Sequence, residues 1–552
     1  MIDLRPIARC SAACSALAFV ALLWSASTRA QVTSVVNTPH NLSAQGSGPA
    51  RAVSEEQVCI FCHAPHNSLP VSPLWNRFMP LTVYNVYSSS SLDAKPGQPT
   101  GASKMCLSCH DGTIALGSVV SRDQVIQMAQ GVTTIPPGSA NLGTDLSDDH
   151  PVSFVYDGAL AAKDAKLMTP TGLPATIRLD ANQELQCTSC HDPHDDSFGD
   201  FLVVPNDNSA LCKSCHLLST TTVSAHQACQ TCHQTHTAAS GPMLLRGDRI
   251  SSTCLSCHDG ATPGAADIAF ELNRFSAHDT NAPIDTTKAI PDNVHCANCH
   301  NPHSIQTGTA IAPSIPPRFG DISGVNALGA DVANATTEYE VCFKCHADQS
   351  AIRSPIVSRV ITQTNTRLQF DLGAVSYHPV EGAGRNPDVP SLKPGLTESS
   401  VIYCSDCHNS NNSAKAGGAG PTGVHGSDYR PLLIARYDTT DFSQESASSY
   451  ALCYRCHERD GRDGVLTDIS FKEHRKHIVG EDAPCSACHD AHGISSAQGS
   501  AMNNSNLINF DRTIVFPDPK TGLLRFEDTG RFSGRCYLKC HGEVHSPKEY
   551  KR

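Results

Sequence analysis

Residues 187–194 read CTSCHDPH. Two cysteines stand two residues apart, a histidine follows the second at once, and another histidine follows three residues later. The pattern C-x-x-C-H occurs eleven times in the 552 residues. Its members are Cys59, Cys62 and His63; Cys106, Cys109 and His110; Cys187, Cys190 and His191; Cys212, Cys215 and His216; Cys229, Cys232 and His233; Cys254, Cys257 and His258; Cys296, Cys299 and His300; Cys342, Cys345 and His346; Cys404, Cys407 and His408; Cys453, Cys456 and His457; and Cys485, Cys488 and His489. At these Cys and His frequencies chance supplies roughly 0.06 copies, so the spacing carries chemistry. Two thiols so spaced can add to the two vinyl groups of one porphyrin, and the adjacent imidazole then lies under the iron. Zinc sites and paired disulfides have no need of a histidine after every second cysteine. The reading is c-type haem attachment.

A twelfth site is irregular. CYLKCH, residues 536–541, has three residues between Cys536 and Cys540 before His541. The eleven regular motifs take 22 of the 26 cysteines, and Cys10 and Cys14 fall in the N-terminal leader, so Cys536 and Cys540 are the last pair. A haem here leaves the mature chain without a spare thiol, and a local disulfide is the alternative. The expectation is that the extra residue bulges outward while His541 stays under the iron. Twelve covalent haem c groups amount to about one per 43 mature residues, enough to replace much of a side-chain core. Apolar residues are only 39% of the chain and aromatics 6%, too few for an ordinary core of this length.

Fifteen histidines remain after the twelve motif histidines. His66, His194, His236, His303 and His492 recur three residues after a motif histidine. Positions i and i+3 lie on one side of a continuing turn, so the second imidazole is expected to reach a neighbouring haem. His150 and His378 share the form H-P-V, where proline stiffens the backbone beside the ring. His40, His278, His425 and His545 are isolated candidates, and His477 is preferred to His474 for one role. His226 and His295 each stand just before a first cysteine, and at least one is expected not to bind iron. With only 7 methionines, His/His ligation should dominate.

Arg5 and Arg9 precede an apolar stretch near Ala16–Trp24, and Thr28-Arg29-Ala30 offers a cleavage site, so residues 1–30 read as a secretory signal. The formal charge of −12 and the lack of a basic stripe argue against nucleic acid as a partner. The motif order repeats along the chain, which divides it into tetrahaem units over 31–218, 219–348 and 349–552. Segments between motifs, such as PPGSANLGTD and NSNNSAKAGGAGPTG, are rich in turn formers. The expected fold is a multihaem cytochrome c, mostly irregular loops and short α-helices wrapped around a stacked haem chain, with little β.

PHNLS (39–43), CIFCHAPHN (59–67), PLWNR (73–77), GASKMCLSCHDGTIALG (101–117) and DDHPVSF (148–154) carry a further signal. Through them the chain resembles the doubled-CXXCH-motif multihaem cytochromes c of metal-reducing bacteria. Residues 31–216 are similar to tetrahaem cytochromes that polymerise into extracellular nanowires. The resemblance implies a continuous haem stack, His/His ligation, and His40, His66, His150 and His194 as distal ligands of the first unit. It implies an exported electron conduit at the outer cell surface or in the periplasm. Implied partners are other multihaem cytochromes, an outer-membrane porin–cytochrome complex, and extracellular metal oxides or an electrode. The chain has about three times the haem sites of the filament proteins and ends in the CYLKCH variant, so a homopolymer and a monomeric conduit both stay open. Electron transfer without enzymatic turnover is the leading expectation. The alternative is a reductase of nitrite, hydroxylamine or a sulfur oxyanion, which needs one iron with an open position.

Overall fold

The computed structural model describes residues 34–69, 74–218, 221–280, 294–348, 355–469 and 471–551. The leader, Cys10 and Cys14 lie outside the described residues. The chain forms two compact units, one of residues 1–217 with 235–237, the other of residues 218–234 with 238–552. The segments expected as second and third tetrahaem units share the second body, apart from residues 235–237.

Most of the described chain is loop, with few helices and small sheets. Helix appears where a C-x-x-C pair needs it. Each of the eleven regular motifs opens on a short 3₁₀ or α turn that contains its first cysteine. The turn closes when the histidine N–H donates to the first cysteine's carbonyl, as His63 does to Cys59 at 2.7 Å and His191 to Cys187 at 3.0 Å. Two of these turns extend to full helices, Gly101–His110 and Glu338–His346. The second starts on a capping box, in which Glu340 accepts from the Thr337 N–H at 3.0 Å.

The buried apolar residues form small separate clusters, the largest being Ala487, Phe510, Ile514, Val515, Phe526 and Leu538. Polar anchoring supplements them. In the first unit Arg77 is fully buried, and its guanidinium donates to the carbonyls of Leu116, Ser108 and Ala115 at 2.8–3.1 Å. In the second, buried Glu271 pairs with Arg274 at 2.8 Å and accepts from Ser410 at 2.6 Å.

Most strands are two-residue pairs. The exception is a three-stranded antiparallel sheet of Arg525–Gly530, Ser533–Cys540 and Glu543–Lys551. CYLKCH therefore begins on a central strand rather than a helical turn, and its pairing with the last strand shifts register between Cys536 and Leu538. With three intervening residues, no i→i+4 turn joins the histidine to the first cysteine, and the strand pairs on both sides instead.

Candidate functional site

Histidines meet in twos. Metal–nitrogen bonds of about 2.0 Å, with about 1.1 Å from nitrogen to ring centre, put two imidazoles on opposite sides of one metal about 6.2 Å apart. Eleven histidine pairs have ring centroids 6.0–6.4 Å apart. In the first unit these are His63 with His194, His110 with His40, His191 with His236 and His216 with His150. In the second they are His233 with His303, His258 with His226, His300 with His425, His346 with His278, His408 with His492, His489 with His474, and His477 with His545. For His457, the charged neighbour that acts on it most strongly is His378. No group of three or more His, Cys, Asp or Glu side chains forms a metal-ion cluster among the described residues.

The repeated C-H-x-x-H frame has a consistent geometry. His194, His236, His303 and His492 each face the imidazole of the motif two places earlier in the chain. His66, in the first motif, has no earlier motif to face; it is exposed, and no imidazole faces it among the described residues. His295 likewise faces none. His226 and His474, neither of which was preferred from sequence, both face motif histidines. Their places three residues before Cys229 and His477 in the chain gave no sign of this, because the partners are brought in by tertiary folding.

Hydrogen bonds aim the rings. Backbone carbonyls accept from Nδ1 of His110 (Ala140, 2.7 Å), His191 (Asp200, 2.7 Å), His233 (Met243, 2.8 Å), His408 (Pro431, 2.9 Å) and His489 (Asn506, 2.9 Å). The same holds outside the motifs for His40 (Pro193, 3.2 Å), His278 (Val424, 2.8 Å) and His378 (Ala491, 2.6 Å). A donor at Nδ1 fixes the tautomer that leaves Nε2 free for a metal. Burial, with neighbouring imidazoles adding to it, pulls His150, His457 and His492 down to about 4 and His425 and His474 to about 3. These rings are neutral at pH 7, the state that donates a lone pair to iron. His236 is the exception: burial pulls it down, but the Asp149 carboxylate 3.0 Å away offsets this and the net shift is upward.

The cysteines form a succession. In the first unit the thiols of Cys106 and Cys187 are in hydrogen-bond contact, Cys62 lies beside Cys109, and Cys190 beside Cys215. In the second unit Cys254 contacts Cys296, Cys342 contacts Cys404, and Cys453 contacts Cys485. Between those contacts Cys232 lies beside Cys257, Cys299 beside Cys342, Cys407 beside Cys456, and Cys488 beside Cys536 and Cys540. Within each unit, then, every attachment site neighbours the next one in sequence.

His541 differs from every other motif histidine. It lies at φ 47° in the turn after the central strand, and its Nε2 meets the Asp441 carboxylate at 2.8 Å. The phenyl ring of Phe442 stacks on it at 4.6 Å.

The donor set fits haem c: paired thiols on turns, and imidazoles in opposed pairs at the spacing of one iron, many with Nδ1 held by a hydrogen bond so that Nε2 carries the lone pair. A family model, the doubled CXXCH motif, matches residues 181–217 and 222–262. That motif is the one of multihaem c-type cytochromes, and it indicates covalently bound haem c in an electron-transfer protein. No curated protein matches the chain. No helix among the described residues is long and apolar enough to cross a membrane.

Proposed function

We propose that the chain is a dodecahaem c-type cytochrome that conducts electrons in extracellular electron transfer, with each iron closed by two histidines. The observation that carries this reading is the set of eleven imidazole pairs at 6.0–6.4 Å. Bound haem iron supplies a one-electron couple. Two imidazoles from the chain would hold each iron, so the protein would offer substrate no coordination site and would move electrons without making bonds. The unbroken succession of neighbouring cysteines supports a haem order that follows the sequence within each unit. The Nδ1 hydrogen bonds hold ring orientation, most of them on backbone carbonyls and those of His236, His457 and His492 on the side chains of Asp149, Ser391 and Gln369.

The proposed location is the cell exterior, following export. The proposed partners are other multihaem cytochromes on the donor side and metal oxides or an electrode on the acceptor side. The exported chain is acidic overall, which suits basic docking surfaces.

The test is low-temperature EPR of the oxidised protein with a carbon monoxide difference spectrum of the reduced form. All-low-spin iron without CO uptake is the expected result. One high-spin, CO-binding iron per chain would overturn the closed-conduit reading and favour a reductase.

A further inference from the structure

We infer that the twelfth iron is held between His477 and His545, and that His541, the histidine of the CYLKCH motif, is not its ligand. The inference rests on the twelve-haem reading and concerns only how the last site is built.

Three observations lead to it. First, the strand geometry points the attachment residues toward His545. Side chains alternate along a strand, so Cys536, Leu538 and Cys540 share one face of Ser533–Cys540. His545 is directly opposite Leu538 on the last strand, and directly opposed residues of an antiparallel pair project to the same side. The imidazole thus emerges beside the midpoint between the two cysteines. Leu538 and His545 are both buried, whereas their neighbours Lys539 and Val544 are exposed, which fixes the inner face.

Second, His545 already has its counterpart. His477 lies across from it with ring centroids at 6.3 Å, the spacing of the other opposed pairs. Nδ1 of His477 is engaged by the Glu473 carbonyl at 2.8 Å, the same anchoring that other paired histidines use, so its Nε2 is free. Neither residue belongs to any C-x-x-C-H motif.

Third, the nitrogen that His541 would need is taken. Its Nε2 is on Asp441 at 2.8 Å, with Phe442 stacked against the ring. In the other motif histidines with a hydrogen bond described above, the bonded nitrogen is Nδ1. The ligand of this last site is thus displaced four residues along the chain, from the turn to the next strand. The C-x-x-x-C spacing accounts for this, since it removes the helical turn that holds a motif histidine under the iron elsewhere.

The experiment compares the wild type with His545→Ala, His477→Ala, His541→Ala and Asp441→Ala, produced with haem attachment. Intact mass gives the haem count, and EPR with CO titration gives the spin state. The wild type should carry twelve haems. His545→Ala and His477→Ala should each convert one iron per chain to high-spin and bind one CO. His541→Ala and Asp441→Ala should leave all irons low-spin. If His541→Ala blocks attachment and loses one haem, the two other histidine variants decide: a high-spin iron in both supports the assignment. A low-spin iron set in His545→Ala or His477→Ala, or a high-spin iron in His541→Ala, overturns it. Eleven haems in the wild type would overturn the twelve-haem reading itself, which separates the two failures.

Discussion

The side chains of Cys106 and Cys187 are in hydrogen-bond contact, although they open successive attachment motifs with a long loop between them. Cys62–Cys109 on one side and Cys190–Cys215 on the other continue the line. Sites connected only in series fail together when a middle one is removed. The double variant Cys187→Ser/Cys190→Ser should lose one haem by intact mass, one twelfth of the proposed total. Electron transfer through the protein between electrodes should fall far more, by about tenfold or beyond, equivalent to at least roughly 1.4 kcal/mol on the barrier. A fall of only about one twelfth would mean the haems act in parallel.

Arg77 sits fully buried between the first two sites, and its charge acts on both Cys62 and Cys109. Its donors go to neutral acceptors, namely three carbonyls and the Ser108 hydroxyl. A fixed buried cation favours the reduced form of nearby iron, because reduction adds an electron. Arg77→Met should lower the potential of one or two haems, on the order of 60 mV, the one-electron equivalent of tenfold in the equilibrium constant. It should also lower thermal stability, since the carbonyls and the hydroxyl would lose their donors. Spectroelectrochemical titration of both proteins checks the shift.

What could be read from sequence was what covalent chemistry makes local. The eleven C-x-x-C-H turns follow from spacing alone, and each appears as a helical turn with its histidine N–H on the first cysteine or inside a helix. Opposed histidines could not be read the same way. His474 and His477 compete for one role in FKEHRKH, yet one faces His489 and the other His545. His66 shares its local frame with His194 but has no earlier motif in the chain to face. CYLKCH shares the cysteines and histidine of the other motifs but not their turn. One more residue is enough to exchange a 3.6-residue period for a two-residue one, and the strand pairing on both sides then stabilises the second.

Glu381 lies three residues after His378, and burial, with Asp371 adding, pushes its carboxyl up to about 7. Its Oε1 is buried without a hydrogen-bond partner in the structure. The folded value lies above the ordinary 4.5, so the stability this group contributes is fully present below about pH 4.5 and is lost as pH rises through about 7. Deprotonation also puts a negative charge three residues along the chain from His378, which favours oxidised iron. The potential of one haem should therefore fall between about pH 6 and 8, by at most about 59 mV per unit for one proton per electron. Glu381→Gln should flatten that slope. It should also raise the melting temperature relative to wild type at pH 8 and leave it unchanged at pH 4. An unaltered slope would mean that another group carries the coupling.

His226 stands three residues ahead of Cys229 and His295 directly ahead of Cys296, and their surroundings separate their roles. The ring of His226 stands 6.3 Å from that of His258 at 81°, the geometry of two ligands on one iron. His295 has Lys344 as a charged neighbour instead, and that ammonium donates to the Asn298 carbonyl at 2.8 Å. A cation beside an imidazole disfavours its protonation, yet supplies nothing for it to ligate. His226→Ala should therefore open one iron: one high-spin signal in EPR, one CO bound per chain on reduction, and an unchanged haem count because Cys254, Cys257 and His258 remain. His295→Ala should leave every iron low-spin and CO unbound. The reverse pattern would mean that the sixth motif takes its second ligand from beside the seventh, and the imidazole spacing would then be no guide to ligation anywhere in the chain.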